Sequence, residues 1–71
     1  MPYINLKLTP EGLTPAIKEE IIAEFTQILS DKLGKNPETT IVVIETVETD
    51  NWGIGGKTVT KRRNQPSSEK D

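Results

Sequence analysis

The chain contains neither cysteine nor histidine. Without cysteine there is no disulfide framework and no thiolate metal site. The lack of histidine also removes a conventional zinc site and a Ser-His-Asp triad. Aromatic residues are scarce, Tyr3, Phe25 and Trp52 being the full set. Hydrophobic residues occupy only 32 % of the 71 positions, and a chain of this length buries only about 60 % of its unfolded surface on folding. A single domain with so little core needs support from elsewhere, and oligomerisation is the common source that remains. No apolar run approaches the roughly 18 residues of a membrane span, and the N-terminus lacks the charged-then-apolar pattern of a signal peptide. Positive charge is not in excess either. Nine basic residues against eleven acidic ones give a net charge of −2, which argues against general binding to phosphate backbones. These absences point to a cytoplasmic homo-oligomer with neither nucleic acid nor membrane as partner.

What is present alternates in period. Tyr3-Ile4-Asn5-Leu6-Lys7-Leu8 has the two-residue repeat of a half-buried strand, with Ile4, Leu6 and Leu8 on the covered face. Strand structure starting at the second residue ties down a terminus that in most chains frays. Thr9–Leu13 reads as a loop. Thr14 then serves as N-cap and Pro15 as first residue of a helix that runs to Gly34, a natural stop. Ile17, Ile21, Phe25, Ile28 and Leu33 fall near one face of it. Thr40–Val47 is β-branched at all but one position, the composition of a strand covered on both faces. Strand, helix, strand predicts a βαβ unit with parallel strands and a right-handed crossover. One helix covers one face of such a sheet, so the other face is expected to meet a second subunit. Residues 48–51 form a turn, Trp52-Gly53-Ile54-Gly55-Gly56 a glycine-rich hairpin region, and Lys57–Thr60 a further strand. The domain therefore spans 1–64, with 65–71 as a disordered tail lacking apolar residues.

The glycine segment fails as a phosphate loop. Gly56-Lys57-Thr58 matches the end of a P-loop, but the first glycine of that pattern falls on Asn51, and Thr58 stands where the dinucleotide pattern needs its last glycine. Glu19, Glu20 and Glu24 read as a solvated helix face. Lys61-Arg62-Arg63 is either a solvated chain end or an anion-binding cluster that acts across a subunit boundary, with Arg62 as the candidate substrate contact. Trp52 either caps an interface or walls an apolar pocket. Pro2 is either an ordinary edge-strand proline or a catalyst. Removing Met1 leaves a proline secondary amine at the terminus. A free α-amine titrates near about 8, and an apolar pocket disfavours its charged form. The neutral amine is then a competent general base near neutral pH, with no histidine needed.

Four features together resemble the 4-oxalocrotonate tautomerase family. They are Met1-Pro2 leading into a strand, one long helix, a β-branched second strand, and Asn51-Trp52-Gly53-Ile54-Gly55-Gly56, which is similar to that family's aromatic-G-I-G-G segment. The resemblance covers residues 2 to 63. It implies an α+β fold, a β-α-β unit with a C-terminal β-hairpin, assembled as a hexamer built from three dimers. It implies a cofactor-independent isomerase in which Pro2 moves a proton between carbons of a small enol or dienol substrate, with Trp52 at the pocket aromatic. The family's well-known members also carry two arginines that hold a diacid. Here those positions fall at about Leu13 and Ile41, neither of which binds an anion. The departure weakens a 2-hydroxymuconate-type assignment and leaves Lys7, Arg62 and Arg63 as the cations that would substitute. Two alternatives remain: dehalogenation or decarboxylation by the same proline, and a non-catalytic βαβ oligomer.

Overall fold

A computed structural model describes residues 1–64, so the expected disordered tail at 65–71 lies outside the described residues. Strand β1 (Tyr3–Leu8) is followed by helix α1 (Pro15–Leu33), strand β2 (Ile41–Thr46), a two-strand hairpin β3 (Gly53–Ile54) and β4 (Lys57–Thr58), and a short helix α2 (Val59–Arg63). β1 and β2 pair in parallel from Tyr3↔Ile41 to Leu8↔Thr46. The ladder runs past both ends, with the Ile41 N–H donating to the Pro2 carbonyl at 3.0 Å and the Val47 N–H to the Leu8 carbonyl at 2.8 Å.

The termini of α1 follow from its sequence. The Thr14 hydroxyl accepts the Ile17 N–H at 3.2 Å, meeting one of the donors that a helix start leaves unpaired. Gly34 adopts φ +65°, and its N–H and that of Lys35 close on the Ser30 and Leu29 carbonyls, a left-handed stop that glycine makes without a Cβ penalty. The apolar stripe differs from expectation. Ile21, Phe25 and Leu29 are half-buried, whereas Ile17, Ile28 and Leu33 are exposed. The inward face is thus rotated towards Leu29, and a second apolar row is left outside.

The hairpin forms as read, with Ile54 opposite Lys57. Gly55 and Gly56 both have positive φ, the pattern of a type I′ turn whose twist matches the strands it joins. The strand expected over Lys57–Thr60 stops at Thr58. The Thr58 hydroxyl accepts the Lys61 N–H at 3.0 Å and caps α2. The first residue of that helix, Val59, is 7 % exposed and is the one buried apolar side chain among the described residues. A cap and a burial site override the strand propensity of Val59-Thr60, as tertiary context does for short segments. Lys61, Arg62 and Arg63 are therefore the last turn of a helix rather than a bare chain end, where cations suit the carbonyl terminus.

Ile4, Leu6 and Leu8 are half-buried, as the alternation requires, and α1 packs onto β2. β2 is not covered on both faces within one chain, since Ile41 is 43 % exposed. Tyr3 and Ile54 are open as well. An isolated protomer would leave these side chains in water at about 25 cal/mol for each Å² of apolar surface.

Candidate active site

Pro2 sits at the head of β1. Its carbonyl is engaged by Ile41 and the residue is half-buried, while Met1 before it is 87 % exposed. The ladder bond holds the Pro2 backbone in place, so the position does not fray. Its neighbours in the ladder are Tyr3 and Ile41. Leu13 and Ile41 occupy the positions expected to hold arginine in better-known family members, and both are aliphatic.

Trp52 lies at the other end of the sheet. It follows a 3₁₀ turn (Thr49–Asn51) that Glu48 opens, with the Asn51 N–H on the Glu48 carbonyl at 2.7 Å. The Val59 N–H bonds the Trp52 carbonyl at 2.8 Å, and the Thr49 and Thr60 hydroxyls bond one another, so α2 ties the turn to the hairpin. Trp52, Lys7, Val47, Asn51 and Gly53 line an open concavity of 310 Å³. Lys7 on β1 and Glu45 on β2 stand opposite one another in the parallel register. The Lys7 ammonium donates to Glu45 Oε1, which also accepts the Asn5 Nδ2 at 2.9 Å. The hydrogen bond from Lys7, then that from Asn5, holds the Glu45 carboxyl below the ordinary carboxylate value.

Arg62 is half-buried on α2. Its guanidinium lies against the hairpin, so that a Cβ built on Gly55 would stand 3.4 Å from Nη1. Arg62 is engaged by its own chain. Arg63 pairs with Glu11 of the loop after β1. The hydroxyl of Thr9, and then Arg63, hold the Glu11 carboxyl below its usual range. No cluster of metal-ligating side chains occurs among the described residues, and no helix among them is long and apolar enough to cross a membrane.

Within one protomer the expected catalytic groups are not brought together. Pro2 and Lys7 are five residues apart on an extended strand, roughly 16 Å at about 3.3 Å per residue, and Trp52 lies beside Lys7. The sequence pointed to Lys7 only as one of several cations, and it marked none of Asn51, Val47 and Glu45 as a site residue. The signal for Glu45 was that it is the one position of Thr40–Val47 that is not β-branched. Its partner became visible only when the register set Lys7 against it.

A β-α-β unit closed by a glycine hairpin, with proline opening the first strand and an aromatic residue before the hairpin, defines a tautomerase-type fold. The comparisons with known proteins agree. The family model described as Tautomerase enzyme matches residues 2–62. The chain is 57 % identical over 67 residues to probable tautomerase K2 of Dickeya dadantii, covering 94 % of this chain and all of that protein. It is 30 % identical over 57 residues to the 2-hydroxymuconate tautomerase of Bacillus subtilis, covering 80 % and 90 % of the two chains. Among solved structures, DmpI from Helicobacter pylori superimposes with a TM-score of 0.80 at 35 % identity, covering 84 % of this chain and 98 % of that one. TomN, a 4-oxalocrotonate tautomerase homologue in the tomaymycin biosynthetic pathway, gives 0.83 at 30 % identity, with 93 % and 100 % covered. The chain belongs to the tautomerase family of enzymes and is an isomerase.

Proposed function

We propose that this enzyme is a cofactor-independent keto–enol tautomerase of a small, carboxylate-bearing substrate, with the Pro2 secondary amine as general base once Met1 is removed. The observation that carries the reading is the position of Pro2. It is held at the head of β1 by the Ile41 bond, beside apolar neighbours, in a chain without histidine. Where another copy covers the exposed Tyr3 and Ile41, an amine fixed beside them keeps more of its neutral form, and a base titrating near the working pH is the efficient one. The proton moves from one carbon or oxygen of the enol system to Pro2 and back to another carbon, so no redox partner is needed.

The second part of the reading is assembly. Pro2 and the concavity at Trp52 lie at opposite ends of one sheet, so a site that uses both takes them from different copies. Two-fold symmetry meets this condition when strands of two copies lie antiparallel, which sets the head of one β1 beside the tail of the other. The exposed Tyr3, Ile17, Ile28 and Ile41 supply apolar surface for such contacts, consistent with a hexamer of three dimers. Trp52 then forms the apolar wall of the partner's Pro2 site. Arg62, braced against the hairpin, is a further cation for the substrate at its rim.

A pH–rate profile for phenylpyruvate ketonisation, run beside Pro2→Ala, tests the assignment. The expected result is a single basic group controlling the ascending limb and a loss of about 10²–10⁴ in kcat/KM in the variant. Undiminished activity in Pro2→Ala would sink it.

A further inference from the structure

The concavity at the Trp52 end offers more than an apolar wall. Its 310 Å³ falls at the small end of the roughly 300–1,000 Å³ found for small-molecule sites. The apolar residues Trp52 and Val47 line it, together with Asn51 and Gly53. Of the described residues that line it, Lys7 alone carries charge. Its side chain is 56 % exposed, and an ammonium has three donors, of which Glu45 takes one. The two positions at which the resemblance implies arginine are Leu13 and Ile41, and neither side chain can pair with an anion.

We propose that Lys7 is the group that binds the substrate carboxylate, and that the concavity therefore selects a monocarboxylate with an apolar body rather than a diacid. The inference rests on the tautomerase reading above, with the Lys7–Trp52 end of one copy facing Pro2 of another. Glu45 and Asn5 set the position of the ammonium through the network on Glu45 Oε1. A lysine is a compact point charge without the planar fork of arginine. The orientation of the ligand therefore comes from Trp52 and Asn51, and Lys7 supplies the preference for charge. Glu45 opposes an incoming anion, so the preference is moderate, about ten-fold, or about 1.4 kcal/mol by the equilibrium relation.

Trp52 is the only tryptophan in the chain and reports binding at this place by its own fluorescence. The experiment titrates the full, Met1-processed protein with phenylacetate and with phenylacetamide, which share an aromatic body and differ in charge. Wild type should bind the acid about ten-fold more tightly than the amide. Lys7→Met should lose that preference while its affinity for the amide stays unchanged, and Lys7→Arg should keep it. Glu45→Gln should enlarge it. Absence of a preference in wild type, or its persistence in Lys7→Met, overturns the proposal. The same titration on Pro2→Ala should keep the preference. A carboxylate site that survives in a protein without Pro2-dependent turnover would separate failure of the base assignment from failure of this one.

Discussion

At the head of the β1–β2 sheet, Pro2 is held by the main chain through the bond from Ile41. At the tail, Lys7, Glu45 and Asn5 form a side-chain network next to Trp52. A position fixed by backbone is held in place by main-chain bonds, and on the proposed reading the chemistry there depends on one atom, the proline nitrogen. A position built from side chains can be retuned by single substitutions, and there the proposed choice of ligand resides. One strand carries both ends, roughly 16 Å apart at about 3.3 Å per residue. On the proposed reading, the two ends form one site when they come from different copies.

The largest expected effect falls on the head. An N-terminal extension that the cell cannot remove turns the Pro2 nitrogen into an amide. Activity should then fall as far as in Pro2→Ala, about 10²–10⁴-fold, with intact-mass measurement confirming the retained residues. Mixing tests whether the two ends meet across copies. Trp52→Ala and Pro2→Ala, each weak alone, should regain about a quarter of wild-type activity after co-refolding, the share of intact sites in randomly paired two-fold dimers. No recovery would place both groups in one protomer's site or separate them altogether. Ile41→Glu puts a charge on the open apolar face beside Pro2, and sedimentation velocity should show a shift towards monomer, with activity lost in parallel.

Two smaller effects sharpen the contrast. Thr14→Ala touches neither end and should cost about 1 kcal/mol of stability through the lost cap, read by thermal or urea denaturation, with KM unchanged. The tail network should respond to acid. Glu45 is held below its ordinary value of 4.5, so its contribution is fully present above that pH and is lost as pH falls through the lowered folded value. The Tm difference between wild type and Glu45→Gln should therefore narrow as the pH drops below 4.5, and should be constant near neutrality. Glu11, lowered by Thr9 and Arg63, follows the same sign.

Local rules made much of the fold legible. The alternation of Ile4, Leu6 and Leu8, the Thr14 cap, the Gly34 stop and the paired glycines of the hairpin each act over a few residues, so they could be read in order along the chain. The helix Val59–Arg63 could not, because its strand-like composition is overruled by a cap from Thr58 and by burial of Val59, which depends on what lies above it. Likewise the inward face of α1 turned towards Leu29, since the apolar row Ile17 and Ile28 satisfies the same periodicity and only packing on β2 chose between them.

The sequence by itself determined the candidate base and the family. A proline after Met1 and an aromatic-G-I-G-G segment are chemical facts of the chain, independent of its folding. Only the tertiary structure decided that Pro2 and Trp52 stand at opposite ends of one sheet, and that Lys7 shares the concavity of Trp52 with Glu45 as its counter-charge. The reason is the parallel register. It aligns Lys7 with Glu45 across the two strands, which no local pattern encodes, while the extended run of β1 keeps head and tail roughly 16 Å apart at about 3.3 Å per residue.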